Sequence, residues 1–385
     1  MEEWKEYKLG EISFLSTGFP FKGDKYSKIG TRVVRGDNIT IGQLRWDTDK
    51  DKRWNECFER EADFSLRAND IVIGMDGSRV GMNRAQIKES DLPLLLAQRV
   101  ACVRNNEKSV QKFIYYHIFS KRFVDYVKSI HTGTSIPHIS LKQIGDFPIS
   151  LPSLLTQQKI ANILSSLDEK IEVNRRINDN LEQQAQALYK QWFVDNSSEE
   201  WEEKSLGEII NIYDSLRRPL SGHQRDKMEK IYPYYGAASL MDYVDNYLFD
   251  GVYLLLGEDG TVVDNLGYPI LQYVWGKFWV NNHAHILTGA NGYSTETLYI
   301  LLKQTSVKSI VTGAVQPKIS QANLKSIQIV TPPIDLLDKF NKLITPLFDN
   351  IRNNIEQNHR LTTLRDTLLP KLMSGELSVE DVSVD

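Results

Sequence analysis

The sequence predicts an α+β protein in which two mixed α/β domains are separated by an antiparallel pair of long coiled-coil helices. The arrangement is expected to be duplicated about a pseudo-two-fold axis. Three observations support this fold class. Several short motifs recur once, about half the chain apart. Two long segments carry heptads of apolar residues. The segments before them combine β-branched runs, bounded by Gly, Asn and Asp, with shorter helical stretches.

The duplication is visible in two sets of matching residues. At an offset of 197, the opening residues Trp4, Leu9, Gly10, Glu11 and Ile12 match Trp201, Leu206, Gly207, Glu208 and Ile209. At an offset of 180, Thr132, Gly133 and Pro137 match Thr312, Gly313 and Pro317. Repeats this long indicate a duplicated domain, because solenoid repeats are shorter. The smaller second offset places a net deletion of 17 residues inside the second globular part.

These repeats divide the chain into five segments. Residues 1–151 form the first mixed domain, 152–198 a central helix, 199–331 the second mixed domain, 332–378 a C-terminal helix and 379–385 a disordered tail. Ser153 is the expected N-cap of the central helix. Pro346 should either kink the second helix or mark its true start, since proline cannot donate a helical hydrogen bond.

The two helices share one heptad seam, and the middle of that seam is polar. Ile160, Leu164, Leu167 and Ile171 are followed by Asn174 and Asn178; Phe340, Ile344, Leu347 and Ile351 are followed by Asn354 and Asn358. Asparagine in a seam fixes register, because a slipped pairing leaves its amide without partners. An antiparallel pair would bring the four asparagines into one central layer. The alternative is two independent amphipathic helices, each packed on its own domain.

The composition of the chain limits the cellular compartments in which the protein is expected. No apolar stretch approaches the roughly 20 residues that span a bilayer, so no membrane association is expected. The first ten residues are polar, which is unlike a signal peptide. Cys57 and Cys102 are the only cysteines, too few for a disulfide framework or a zinc site. A reducing cytoplasm is therefore the expected location.

The motifs of the common DNA-modifying enzymes are missing. The only Pro-Pro pair, Pro332-Pro333, lacks the flanking residues that an adenine methyltransferase uses, and no phosphate-cradling loop occurs. His283 and His285 could begin a metal site, but no third ligand is evident in sequence. Ser135 and His138 lie in one short loop without a nearby orienting acid. We therefore predict no catalytic residue, no metal and no cofactor.

Several local sequences, in this order and duplicated, resemble the specificity subunits of Type I restriction-modification enzymes. They are residues 35–39, 96–100 and 132–139 in the first part, 232–238, 254–260 and 279–285 in the second, and 368–376 at the end of the last helix. The resemblance covers almost the whole chain. It implies that the mixed domains are target-recognition domains for double-stranded DNA. It also implies two adenine-N6 methyltransferase subunits as partners and, in the full enzyme, two ATP-driven translocating nuclease subunits.

That resemblance implies that side chains of both mixed domains contact DNA. Arginine can read guanine, and asparagine or glutamine can read adenine, while small residues beside glycine allow close approach to phosphates. The candidates in the first domain are Arg35, Asn38, Arg79, Asn83, Gln98, Arg99, Thr132, Gly133, Ser135 and His138. Those in the second are Tyr234, Tyr235, Asp259, Asn281, Asn282, His283, Thr312, Gly313, Gln316 and Lys318. Arg79, flanked by Gly77 and Gly81, is the best single candidate.

Two other functions remain open from the sequence. One is a recognition subunit of a different multi-subunit restriction system. The other is a scaffold without DNA affinity, in which a coiled coil joins two binding domains. The net charge of −4 favours neither reading. Lys and Arg outnumber Asp and Glu by 24 to 20 in residues 1–150, but are outnumbered 15 to 11 in residues 199–331.

Overall fold

The computed structural model describes residues 4–130, 137–313 and 315–382. The chain folds into two compact units. The first combines Met1–Glu172 with Asn358–Asp385, and the second is Val173–Gln357. These units differ from the five predicted segments, because each long helix contributes one part to each unit.

The first unit contains two sheets and a strand pair that closes its ends. Its strands are β1 (Lys5–Lys8), β2 (Ser13–Thr17), β3 (Thr31–Val34), β4 (Ile41–Gly42), β5 (Arg53–Trp54), β6 (Ile71–Gly74), β7 (Arg84–Gln86), β8 (Leu94–Leu96), β9 (Val100–Asn105) and β10 (Pro148–Leu151). Its helices are α1 (Leu9–Ile12), α2 (Glu61–Phe64), α3 (Gln111–Phe119), α4 (Lys121–Ile130), α5 (Leu141–Gly145) and the first part of α6 (Leu154–Tyr189). The sheet orders are β2-β9-β6-β7-β4 and β5-β3-β8, and β1 pairs with β10.

The second unit repeats this plan. Its strands are β11 (Glu202–Ser205), β12 (Ile210–Ile212), β13 (Tyr232–Tyr235), β14 (Leu240–Val244), β15 (Phe249–Asp250), β16 (Tyr253–Gly257), β17 (Leu271–Val274), β18 (Lys277–Val280), β19 (Ala284–Gly289) and β20 (Gln328–Thr331). Its helices are α7 (Leu206–Ile209), α8 (Gly222–Arg225), α9 (Thr295–Lys303), α10 (Gln321–Lys325) and the first part of α11 (Ile334–Ser374). The sheet orders are β12-β19-β16-β17 and β14-β13-β18-β15.

Equivalent strands confirm the predicted duplication. The end-closing pairs β1–β10 and β11–β20 are both antiparallel. One sheet of each unit, β5-β3-β8 in the first and β14-β13-β18-β15 in the second, contains one parallel pair, β3–β8 and β13–β18 respectively. Residues 236–252, between β13 and β16, are about half as many as residues 35–70, between β3 and β6. The difference, 36 against 17 residues, is slightly larger than the predicted net deletion of 17, so the deletion lies in this stretch.

Both long helices form as predicted. Thr156 N–H donates to the Ser153 hydroxyl at 3.3 Å, so Ser153 caps α6. A π-helical turn, Lys190–Asp195, ends this helix. Pro346 lies inside α11 and does not mark its start, since the helix begins at Ile334.

Within each unit, the parts of α6 and α11 pack antiparallel. In the second unit, Asn178 Nδ2 donates to the Ile351 carbonyl at 3.3 Å. In the first unit, Asn358 Nδ2 donates to the Ile171 carbonyl at the same distance. The two bonds are equivalent at the 180-residue offset of the repeat. The helices are therefore paired, which excludes the reading of two independent amphipathic helices.

The seam carries further polar contacts. Asn354 Nδ2 donates to Asn178 Oδ1 at 2.8 Å in the second unit. In the first unit, Arg365 replaces the expected apolar residue, and its Nη1 lies 2.8 Å from Asp168 Oδ1. A charged residue fits the seam here because its counterion is on the facing helix.

We expect Asn178→Ala to lower the free energy of unfolding by about 1–3 kcal/mol, because it leaves the Asn354 amide and the Ile351 carbonyl without this partner. Urea-induced unfolding measures the change. The matched control is Asn180→Ala on the exposed side of α6, where the expected change is within about 0.5 kcal/mol. Equal effects of the two substitutions would show that the polar seam does not stabilise the pairing.

The predicted disordered tail is wrong at its start. Val379–Asp381 form a 3-10 turn, and Val379 and Val382 pack against the core of the first unit. Lys159 Nζ lies 2.5 Å from Glu380 Oε1. The apolar residues of this short segment find buried partners that sequence position alone does not show. Residues 383–385 lie outside the described residues.

Candidate nucleic-acid interface

The first candidate site is the turn that follows β6. Asp76 lies just beyond the strand, and Arg79 is exposed on the next turn. Gly77 and Gly81 have positive φ angles of 102° and 75°, which glycine adopts without steric cost. A Cβ atom on Gly81 would approach Val127 Cγ1 to 2.5 Å. The turn is therefore held closely against α4, with the Arg79 side chain directed to solvent.

Asp76 contacts two basic side chains beside this turn. Arg99 Nη1 donates to Asp76 Oδ2 at 2.9 Å, and His138 Nδ1 contacts Asp76 Oδ1. Burial acts to raise the pKa of Asp76, but the hydrogen bonds from Arg99 and His138 outweigh burial and hold the pKa below its usual value. Asp76 is thus a carboxylate at neutral pH that orders an arginine and a histidine at the surface.

The second unit has the same backbone arrangement after β16. Gly260 N–H donates to the Pro317 carbonyl at 3.0 Å, as Gly77 N–H donates to the Pro137 carbonyl at 3.0 Å. Asp259 occupies the place of Asp76, and His283 Nδ1 lies 2.7 Å from its Oδ1. Each unit therefore presents a carboxylate and neighbouring basic side chains at the end of the equivalent strand.

Lys318 adds a further basic side chain in the second unit. Its backbone forms an isolated β-bridge with Asp259, as the backbone of His138 does with Asp76. Its side-chain Nζ lies 3.2 Å from Glu258 Oε1. Burial acts to raise the pKa of Glu258, and the contacts with Arg217, His285 and Lys318 lower it below its usual value. Exposed Arg, His, Lys, Gln and Asn side chains in such turns have the donors needed for phosphate oxygens and base edges.

The structure separates the predicted DNA-contacting residues into groups by exposure. The exposed residues are Arg79, Gln98, Arg99, Asn282, His283, Thr312, Gly313, Gln316 and Lys318. The half-buried residues are Arg35, Asn83, His138, Tyr235 and Asp259. Thr132, Gly133 and Ser135 lie outside the described residues. The exposed and half-buried groups stay candidates for DNA contact.

Three of the predicted DNA-contacting residues have buried side chains. Asn38 is fully buried and donates to the carbonyls of Arg45 and Lys50 at 3.2 and 3.0 Å. Tyr234 is 2% exposed, and its hydroxyl accepts from Leu220 N–H at 3.1 Å. Asn281 is 5% exposed, and its Oδ1 accepts from His283 N–H at 2.8 Å. These polar groups bond to neighbouring protein groups and are covered in this structure.

Asp76 was missed in the sequence, although a signal was present. Gly74-Met75-Asp76-Gly77 and Gly257-Glu258-Asp259-Gly260 share the pattern Gly-x-Asp-Gly. Both follow a buried strand. This third repeat, at an offset of 183, would have identified Asp76 as the equivalent of Asp259.

A possible metal-ligand group was also missed. Ligand atoms of Asp214, Glu258 and His285 lie within 4.8 Å of one another. However, Arg217 Nη1 lies 2.5 Å from Glu258 Oε2, so this acidic pair already has a cation beside it. Both ring nitrogens of His285 also have protein partners. These side chains therefore fit an internal ion network better than a metal site.

The chain contains two copies of one α/β domain. Each copy ends in a long helix and presents basic side chains at the same strand end, which is the arrangement of a duplicated recognition protein. The family model of the Type I restriction modification DNA specificity domain matches residues 1–183 and 198–364. The chain therefore belongs to this family, and the resemblance seen in its sequence is confirmed.

Known relatives span most of the chain. It is 28% identical to the Type I restriction enzyme MjaIX specificity subunit of Methanocaldococcus jannaschii over 75% of this chain and 74% of that protein. It is 24% identical to the Type I restriction enzyme HindI specificity subunit of Haemophilus influenzae over 98% and 100%. A crystal structure of the Type I S subunit from M. genitalium aligns with a TM-score of 0.60 and 21% identity, covering 97% of this chain and 96% of that one. This structural likeness supports the fold.

Within the described residues, no helix combines the length and apolarity that crossing a membrane requires.

Proposed function

We propose that each domain of this specificity subunit reads one half of a bipartite DNA target and that the chain itself catalyses no reaction. The observation that supports this most is the repeated Gly-x-Asp-Gly turn, which presents basic side chains at the same strand end of both units. Two equivalent readers are what a target of two separate half-sequences requires. Recognition of the DNA target is proposed to take place in the cytoplasm.

The chemistry is proposed to come from partner subunits. Two adenine-N6 methyltransferase subunits would modify the target, and two translocating nuclease subunits would cleave unmodified DNA. The protein supplies little net positive charge, since its formal charge is −4. Neutralising phosphates contributes most of the non-specific affinity for DNA, so a partner is needed to clamp the backbone.

Deleting the gene from its host and sequencing the methylated bases of the genome tests this proposal. We expect one bipartite adenine-methylation motif to disappear and to return when the intact gene is restored. Loss of a motif without two separated halves would favour a recognition subunit of another restriction system. An unchanged methylome, with no DNA retained by the chain and its methyltransferase, would support the scaffold alternative.

We expect the isolated chain to bind its target at least about tenfold more weakly than the complex with methyltransferase subunits, because few phosphates are neutralised without them. Fluorescence anisotropy with one labelled duplex at several salt concentrations measures both affinities. The dependence on salt should be steeper for the complex. Equal affinity and equal salt dependence would show that the chain supplies the whole backbone contact itself.

A further inference from the structure

The second unit contains a buried ion network centred on His285. The His285 side chain is fully buried. Its Nδ1 lies 2.6 Å from Asp214 Oδ2, and its Nε2 lies 2.8 Å from the Ile319 carbonyl oxygen. The charged groups around it are Asp214 and Arg217 after β12, Glu258 after β16 and Lys318 before α10.

These contacts determine the protonation of His285. A carboxylate and a carbonyl oxygen only accept hydrogen bonds, so both ring nitrogens must donate. Asp214 is fully engaged as an acceptor, because it also receives Ile286 N–H at 3.0 Å and Gln321 Nε2 at 2.5 Å. Burial acts to raise the pKa of Asp214, but these bonds and the nearby cations hold it below its usual value. The ring is therefore an imidazolium paired with a carboxylate.

The network reaches the segment that carries two candidate DNA contacts. Ile319, whose carbonyl accepts from His285, directly follows Lys318 and lies three residues after Gln316. Ile319 N–H in turn donates to the Glu258 carbonyl at 2.8 Å. Residues 315–318 are largely exposed, so their position depends on the buried anchor at Ile319.

Among the described residues of the first unit, no equivalent network occurs. In the sheet registers, His285 pairs with Leu256 and Ala101 pairs with Ile73. Ala101 thus occupies the place of His285, and Met75 occupies the place of Glu258. Both residues are buried and apolar. The frame of the domain therefore forms without these charges, which points to a role specific to the second unit.

We propose that His285, held as an imidazolium between the Asp214 carboxylate and the Ile319 carbonyl, is a positioning residue for the 315–320 segment and thereby determines sequence discrimination at the half-site read by the second domain. This inference rests on the proposed function of bipartite reading. The charged ring holds the segment through its hydrogen bond to the Ile319 carbonyl and, in this proposal, does not itself contact DNA.

The test measures methylation by the reconstituted complex of the full chain and its methyltransferase subunits. Duplexes carry one altered base pair in one half-site at a time, which gives a discrimination ratio for each half. His285→Gln is informative because an amide has both N–H groups on one nitrogen and cannot reach both acceptors. We expect it to reduce discrimination at one half-site at least about tenfold, the equivalent of about 1.4 kcal/mol, and to leave the other unchanged.

The matched control is His117→Gln in the first unit. His117 is also buried, but burial and the nearby Arg122 lower its pKa to about 3, so it is neutral. This variant should not alter the half-site that His285→Gln affects. Unchanged discrimination in His285→Gln, or equal losses at both half-sites with an intact fold, would overturn the proposal.

A second measurement reads the protonation of the ring directly. In full-length wild-type protein with ¹⁵N-labelled histidine at neutral pH, one buried ring should show two protonated nitrogens. The His285→Gln variant should lack that signal, and a signal that persists in the variant would belong to another histidine and overturn the inference. A neutral ring at His285 would overturn the inference. If the wild-type complex shows no sequence-dependent methylation, the proposed function itself fails; if only the His285 results are negative, the inference fails alone.

Discussion

Lengthening both long helices by one heptad is expected to change the spacer of the methylated target and leave its two half-sequences intact. The change inserts a copy of residues 172–178 after Asn178 and a copy of residues 352–358 after Asn358. Seven residues keep the seam nearly in phase and extend each helix by about 10 Å at about 1.5 Å per residue. Both copies carry the two asparagines of their seam, so each new turn finds a polar partner.

The expected gain is about three base pairs of spacer, at about 3.4 Å each. Half-sites read from one face of a duplex lie about 10–10.5 base pairs apart, or a multiple of this distance. If the longer spacing cannot be accommodated on that face, methylation should be lost altogether. Methylome sequencing of cells that carry the variant distinguishes the two results.

The control places the same seven residues in the exposed stretch after Ser198, where neither helix is lengthened. This variant should methylate the original motif. An unchanged spacer with full activity in the double helix insertion would refute the idea that the helices set the distance between half-sites.

Arg79→Ala is expected to relax recognition at one half-site only. Arg79 is exposed between two glycines with positive φ angles. Among the described residues, no ion pair or hydrogen bond to its guanidinium is present, so the group is available to a ligand. A bidentate contact between arginine and guanine provides about 1–3 kcal/mol of discrimination. Its removal should therefore lower the discrimination ratio at that half-site by roughly 5- to 150-fold. Methylation of duplexes altered in one half-site measures the ratio.

Arg67→Ala serves as the control, because Arg67 is an exposed arginine of the same domain away from the turn. It removes the same charge, so any general loss of DNA attraction appears in both variants. Arg79→Ala should reduce discrimination at its half-site beyond this shared effect. A uniform loss across both half-sites would make Arg79 a phosphate contact rather than a base reader.

The helices could be predicted from sequence because their evidence is local and periodic. The heptads and asparagines of α6 and α11 recur at one offset, and the equivalent bonds of Asn178 and Asn358 follow that offset. The candidate site could be predicted only in part. Arg79 and Lys318 are exposed as expected, whereas Asn38 and Asn281 turn inward to satisfy backbone groups. Residue type cannot distinguish these two uses of an amide.

The ion network of the second unit was beyond sequence analysis for a different reason. Asp214, Glu258 and His285 come from three separated stretches of chain and meet through the pairing of both β12 and β16 with β19. Their spacing in sequence follows no motif. Only the tertiary structure shows that His285 has two acceptors and no solvent access.

Because the first unit is discontinuous in sequence, the two units should fold in a fixed order during synthesis. The second unit, Val173–Gln357, is one uninterrupted stretch, whereas the first includes Asn358–Asp385. Leu372 and Met373 belong to the buried core of the first unit, yet they leave the ribosome only after the whole second unit has been made. Domains generally fold as units during synthesis. The first unit therefore cannot complete its core, and the apolar surface around Ile160 and Leu164 stays uncovered, until residues 358–373 have emerged. A chain cut after Gln357 should leave the first unit incomplete and the second unit intact.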